Sequence, residues 1–290
     1  MSVQLRRAVT LLLAGLALMM LGAGAAFAVS SAAPAPISDF TAAVPDMPGK
    51  TWLDLLRQLF PDVIAASTSG IAATATKMTP LRSIGSADDD WVQCGDRIEL
   101  RTLDARPVRL ADRSYRIVTV AVPDDCAAPL ALFDDTGKLV DAVNVKGDQH
   151  VSFSGSYLRE LGPSGALVIV SNWHDNTSRS YDGTMLILAR AEGLSSIGDV
   201  LALGSRDCAQ GTSVGEESTV RVARGDAPFA RIDVVVRRSV QKLAEDCKTG
   251  RGRPVIATFT GSWRWNAGKS AYEPHTKELD RLSGWNQKHF

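Results

Sequence analysis

Hydrophobic residues change their spacing once along this chain, from a helical period near the start to an alternating period over most of the rest. Residues 50–60 have the helical period, through Trp52, Leu55, Leu56 and Leu59. Thr51 can cap this helix with Asp54 in a capping box, and Pro61 ends it. We expect its apolar face to pack on the main domain; the alternative is an exposed helix that docks on a partner.

From Trp91 onward the period is two, which is typical of strands. Short apolar or alternating segments are separated by turn residues, at 97–103, 115–122, 130–133, 139–145, 151–153, 166–170, 185–188, 200–203, 218–223, 231–240 and 255–265. Residues 276–285 return to a helical period. The pattern predicts a mainly β fold, an antiparallel sandwich or partial propeller-like repeats, with a short N-terminal helix and a C-terminal helix.

The segment 165–190 carries the densest group of polar residues that could do chemistry. Two apolar runs, 166–170 and 185–188, flank a stretch that we expect to be a surface loop, with His174, Asp175, Asn176, Arg179, Asp182 and Gly183. His174 and Asp175 could act as a base and its orienting group if the fold supplies a nucleophile. With Asp182 they could also bind a metal ion. The alternative is an exposed loop histidine without a chemical role.

The first residues have the pattern of a secretory leader. Arg6 and Arg7 precede an apolar core, and residues 26–28 form the small–x–small motif at which leaders are cleaved. An uncleaved anchor is the alternative, and after cleavage no other apolar segment is long enough to cross a membrane. We therefore divide the chain into a signal peptide (1–28), a linker with a short amphipathic helix (29–90) and a β domain (91–290), with two similar halves, 91–200 and 201–290, as one possibility.

All four cysteines follow the leader: Cys94, Cys126, Cys208 and Cys247. An even number in an exported chain predicts two disulfides. Three pairings are open, and we favour Cys94–Cys126 with Cys208–Cys247 because each pair brackets one strand-rich segment. A metal site is the competing interpretation, although there is no Cys-x-x-Cys and no Cys–His pair at ligand spacing.

Charge excludes one class of partner. The chain has 32 basic and 32 acidic residues. It therefore lacks the excess positive charge of nucleic-acid-binding proteins. No phosphate-binding glycine loop, Gly-x-Ser-x-Gly motif or cofactor fingerprint is present, so we expect no cofactor.

Two further stretches could contact a ligand. Trp263 and Trp265 alternate on one predicted strand and so share a face, either as a stacking platform or as the core side of the strand. Arg237–Arg238 with Arg251–Arg253 make a locally basic edge. It could bind acidic envelope polymers, or could discourage pairing between sheet edges.

The order of features in the two halves is similar: cysteine, strand, Asp-Cys, proline and a Gly-Lys hairpin. The segment GALVIVSNWHDN…YDGTMLIL and the closing GSWRWNAGKSAYEPHTKELDRL resemble exported bacterial proteins with integrin-α-like (FG-GAP-like) repeats. The resemblance implies blade-like β units and assigns no functional residue. We expect a secreted or periplasmic, non-catalytic binding protein that contacts an envelope polymer or a protein. The alternative is a hydrolase or metal-dependent enzyme centred on His174–Asp182.

Overall fold

The structure, a computed structural model, describes residues 35–289 except 67, 69, 86, 88–93, 124–125, 148–149, 154–156, 176–178 and 224–227. The predicted leader lies outside the described residues. Pro34–Phe290 forms one compact unit. Neither helix of the described part has the length and apolar character that crossing a membrane requires.

The elements follow one another as two helices and seventeen strands in the described residues. They are α1 (Trp52–Leu56), β1 (Ile64–Ala65), β2 (Ala73–Ala75), β3 (Arg82–Ser83), β4 (Ile98–Leu100), β5 (Leu103–Leu110), β6 (Arg113–Val120), β7 (Pro129–Asp134), β8 (Leu139–Asn144), β9 (His150–Ser152), β10 (Leu158–Gly162), β11 (Gly165–Asp175), β12 (Arg179–Arg190), β13 (Gly193–Asp207), β14 (Thr212–Ala223), β15 (Arg231–Leu243), β16 (Gly250–Asn266), β17 (Ala271–Pro274) and α2 (Glu278–His289).

These strands form three sheets, and the predicted mainly β, antiparallel fold is confirmed. The orders are β1-β2-β4, β3-β8-β7-β6-β5, and β10 through β17 in sequence with β9 also on β11. Among the pairs described, only β3 with β8 is parallel. Sequential antiparallel neighbours are what short turns between strands produce.

The five-stranded sheet is buried on both faces. Successive residues of β6 and β7 belong to different hydrophobic clusters: Ile117 and Leu132 face the large sheet, whereas Val118 and Phe133 face α1 and the three-stranded sheet. A strand buried on both faces must be continuously apolar, as 129–133 is. This sheet is therefore the middle layer of the fold.

The large sheet divides into two layers. β13 and β14 pair only between residues 204–207 and 212–215, after which they separate. Beyond that point β14–β17 pack face to face on β10–β13, as the close approach of Gly198 to Trp263 and the shared core of Val168, Val234 and Val236 show. The result is a sandwich whose two layers are joined through these four residue pairs.

Helix α2 closes the open side of this sandwich. Leu279 and Leu282 are buried in its core. The Asn286 side chain donates to the Leu201 carbonyl (3.2 Å) and to Glu216 (2.6 Å), whose Oε2 also accepts the Leu203 amide (2.9 Å). The helix thus covers the edge of β13 that β14 leaves.

The described residues between 35 and 87, expected to be mostly linker, contribute several buried side chains to the core. Phe40, Val44 and Met47 are buried with α1 against the middle layer. The predicted Thr51–Asp54 capping box is present, and the helix buries its apolar face as expected, although it spans only Trp52–Leu56. The alanine- and proline-rich composition of this segment does not indicate that it packs on the core, because only a few large side chains anchor it.

Both predicted disulfides are confirmed: Cys94–Cys126 and Cys208–Cys247, with Cα atoms 4.4 and 5.4 Å apart. Cys126 lies in the core, whereas the second bridge lies at the tip of the long strands β13–β16. Strand β13 runs across residue 200, so the sheet continues from one proposed half of the chain into the other.

Candidate functional site

The segment predicted as a polar loop is mostly strand. β11 extends to Asp175 and β12 begins at Arg179, with register pairs Trp173–Asp182, His174–Tyr181 and Asp175–Ser180. Directly paired residues share a face, and neighbours along a strand alternate. His174 therefore faces the opposite side from Asp175 and Asp182, and its ring stacks on Tyr181 (5.5 Å). The structure does not bring these three side chains together, and their role in ligand binding stays a prediction.

Asp182 is the most perturbed carboxyl group of that region. Burial raises its pKa, and a hydrogen bond from Ser171 offsets this only in part. Its Oδ1 atom is buried and has no hydrogen-bond partner among the described residues. A carboxylate in this position destabilises the folded state at neutral pH.

The described residues contain no group of three or more His, Cys, Asp or Glu side chains that could hold a metal ion. Asp134, in the turn 134–138, has a structural role. Asp134 Oδ1 accepts the amides of Thr136 (2.9 Å) and Lys138 (3.0 Å), which fixes the hairpin between β7 and β8.

The two tryptophans of β16 share a face, as their alternation predicts, and that face is the core side. Trp263 is 7% exposed and packs at Gly198. Trp265 contacts Phe229 (4.5 Å) and Tyr272 (5.7 Å) edge to face. By contrast, the Trp173 side chain of β11 is 41% exposed, and its ring stacks on that of His150 with the ring centres 4.2 Å apart. Sequence reasoning missed this pair because the two residues are far apart in the chain.

A cleft of about 290 Å³ lies between the middle layer and β9. It is lined partly by Lys146, whose backbone amide donates to the Asn144 side chain (3.0 Å). The backbone amide of Gly147 donates to the Asn172 side chain (2.7 Å). Lys146 is only 2% exposed, and Asp104 is held by the Arg106 guanidinium (2.9 Å). Polar and apolar atoms contribute about equally to the walls of the cleft, and its two charged side chains are mostly buried, so its lining favours no particular class of ligand.

The strongest concentration of one charge lies on two adjacent strands at the far end of the sandwich. Residues 237–243 of β15 and 250–259 of β16 contain five basic residues and no acidic one: Arg237, Arg238, Lys242, Arg251 and Arg253. We call these two segments the basic ribbon. Both acids of the connecting turn, Glu245 and Asp246, lie outside it.

Most of these cations are available to a partner. Arg237, Lys242, Arg251 and Arg253 are exposed, and of these Arg237 lies directly opposite the exposed Glu217 of β14 in the strand register. Arg238 is partly engaged on the inner side of the ribbon, 3.7 Å from the Trp285 ring and 3.7 Å from Glu216. The basic ribbon therefore combines a fixed backbone, linked at its tip by Cys208–Cys247, with four solvent-accessible positive charges. Such an array attracts acidic partners over roughly 8–10 Å at moderate salt.

The basic ribbon also exposes apolar side chains and a backbone edge. Val255 is 71% exposed and Ile256 is 43% exposed. β17 pairs with β16 only at residues 263–266, so within the described residues no strand covers 250–259 on that side. The clusters 237–238 and 251–253 were visible in the sequence, but their adjacency and the uncovered edge depend on strand pairing.

Fold and site together define a disulfide-linked, antiparallel β protein with a basic edge. Comparison with protein-family models, with curated proteins and with solved structures finds no match. The resemblance to integrin-α-like repeats stays a prediction.

Proposed function

We propose that this protein is an exported, non-catalytic binding protein that holds an acidic envelope polymer or protein on the basic ribbon. The observation that carries this proposal is the segregation of charge: five basic and no acidic residues on two paired strands, in a chain whose total charge is zero. Surface charges in globular proteins are usually interspersed, and a single-sign patch on a rigid support favours partners of opposite sign.

Export is supported by the leader pattern and by the disulfides. All four cysteines are paired, and structural disulfides are rare in reducing compartments. Intact mass of the protein recovered from its producing cells tests this part, because cleavage after Ala28 predicts a mature chain that begins at Val29.

Binding to poly-L-glutamate tests the charge proposal. We expect the mature protein to bind labelled poly-L-glutamate at about 0.05 M salt and to lose most of that binding at about 0.5 M, as ribbon cations become screened. The double variant Arg251→Glu with Arg253→Glu should abolish binding.

The matched control changes the same amount of charge elsewhere. Arg97 and Arg109 are exposed and make only loose ion pairs, at 3.6 and 3.8 Å. Arg97→Glu with Arg109→Glu should therefore bind poly-L-glutamate nearly as well as the unaltered protein. Equal loss in both double variants would mean that net charge, and not the basic ribbon, drives binding, and the proposal would be wrong.

A further inference from the structure

The edge of the basic ribbon has an alternating arrangement of backbone groups. In an antiparallel strand, every second residue directs its N–H and C=O groups toward one neighbour and the intervening residues direct theirs toward the other. On β16 the Thr260 amide donates to Glu278, and the Ser262 carbonyl accepts the His275 amide. Even-numbered residues of this segment therefore direct their backbone groups away from β15.

The register from Val255 to Trp263 is uninterrupted, so the same alternation extends to Ile256 and Thr258. Their two N–H and two C=O groups point to the open side, and none of the four has a hydrogen-bond partner among the described residues. Pro254, the next residue, has no N–H to offer at this end of the open edge. The open edge is thus a short site of four backbone groups, flanked by Arg251 and Arg253 on one side and by the α2 contact at Thr260 on the other.

We infer that Ile256–Thr258 accepts an extended acidic polypeptide segment of another protein as an added β-strand. Strand addition of this kind uses main-chain hydrogen bonds for affinity and side chains for specificity. Here Val255 and Ile256 offer apolar contacts on the two faces, and the four exposed cations of the basic ribbon select acidic side chains. This inference rests on the proposed function and specifies its partner as a polypeptide.

Charge argues against a second copy of the chain as the occupant. Edge-to-edge pairing of two basic ribbons would bring two sets of five cations within a Debye length. An acidic strand gains from the same charges. The occupant that the surface fits is therefore a different chain with alternating acidic and β-branched residues.

The test uses a short peptide of alternating glutamate and valine, compared with the same peptide N-methylated at every residue. We expect the first to bind the mature protein and to slow amide exchange at Ile256 and Thr258, whose N–H groups face the open edge. N-methylation at every residue removes the donors of both edges and keeps every glutamate, so the second peptide should bind no more tightly than its charge alone allows.

Two variants separate backbone pairing from charge. Ile256→Pro removes an outward N–H and leaves every charge in place; it should weaken the alternating peptide about fivefold or more, and leave poly-L-glutamate binding unchanged. Ile256→Thr keeps the N–H and should retain binding of the peptide. Thr258→Pro serves the same purpose if Ile256→Pro lowers stability.

The possible outcomes distinguish the strand-addition proposal from the charge proposal. If the N-methylated peptide binds as tightly as its parent, or if only poly-L-glutamate binds, strand addition is overturned and the charge proposal stands. If Arg251→Glu with Arg253→Glu binds both probes normally, both proposals fail. A salt-resistant dimer that Ile256→Pro disrupts would assign the edge to a second copy and would overturn the acidic partner.

Discussion

The stacking of β10–β13 on β14–β17 can be tested at Gly198. A Cβ atom at this position would lie 2.6 Å from Nε1, 3.0 Å from Cε2 and 3.1 Å from Cζ2 of Trp263. Carbon atoms in favourable contact are about 3.5–4.0 Å apart, so the layers or the indole must move by up to about 1 Å. The indole is held in the core, because Trp263 is paired with Ile232 of β15 on one side and with Pro274 of β17 on the other.

Gly198→Ala should therefore destabilise the protein. Overpacking a core costs about 1–3 kcal/mol, and the lower unfolded-state entropy of alanine returns about 0.4–1 kcal/mol. The midpoints of these two ranges leave a net loss of about 1.3 kcal/mol, which corresponds to a fall in Tm of roughly 3–5 °C for a unit of this size. Circular dichroism during denaturant and thermal unfolding measures both quantities.

Gly215→Ala is the matched control, because it also lies in a long strand and a Cβ atom there meets nothing within 4 Å. It should be neutral or slightly stabilising. Adding Trp263→Phe to Gly198→Ala should restore part of the lost stability, since the smaller ring vacates the contact. If Gly198→Ala is as stable as Gly215→Ala, the two layers do not stack at this point and the sandwich described above is wrong.

Three other changes probe the buried polar groups and the tip. Asp182→Asn should stabilise the protein at neutral pH, because it removes a buried carboxylate. The raised pKa means that the folded state binds the proton more tightly than the unfolded state, so Asp182 favours folding only as the pH falls from that pKa toward 3.8. Denaturant titrations at several pH values should show that the variant has lost this part of the pH dependence of stability. Glu216→Ala leaves the Asn286 side chain and the Leu203 amide without their shared acceptor, and should cost about 2–4 kcal/mol and expose α2 to limited proteolysis; Glu216→Gln should lose less. Replacing Cys208 and Cys247 by serine opens a 39-residue connection worth up to about 4 kcal/mol by chain entropy, and we expect faster amide exchange at the ribbon tip before any change in the core.

Sequence reasoning succeeded where the signal is local. The Thr51–Asp54 capping box and the turn at Asp134 are formed by side chains that satisfy nearby amides, so their patterns are legible without the fold. It failed where strands are polar. β5 contains Pro107 and alternating charges, and the outer parts of β11 and β12 extend beyond the core, so neither has a continuous apolar signal. In β5 the buried residues are separated by charged ones and by Pro107, and the outer parts of β11 and β12 are held mainly by backbone pairing.

The candidate site divides in the same way. Basic residues at 237–238 and 251–253 are visible in the sequence, whereas their adjacency requires the register of β15 on β16. The open edge depends on a difference in length, since β16 has 17 residues and β17 has four. A difference in length between two paired strands cannot be read from the sequence of either strand alone.

Other edge strands of this protein are blocked, which supports the inference that the open edge of β16 selects a particular kind of strand. An uncovered edge invites aggregation, and proteins usually block it with proline, charge or a covering element. Here Pro107 interrupts the edge strand β5, and Glu216 with Asn286 satisfies the uncovered side of β13. On β16 the same devices, Pro254 with its neighbouring arginines and the α2 contact, limit the opening to Ile256–Thr258 instead of removing it. An opening of this length and charge disfavours pairing with another copy, and it remains sufficient for a short acidic strand.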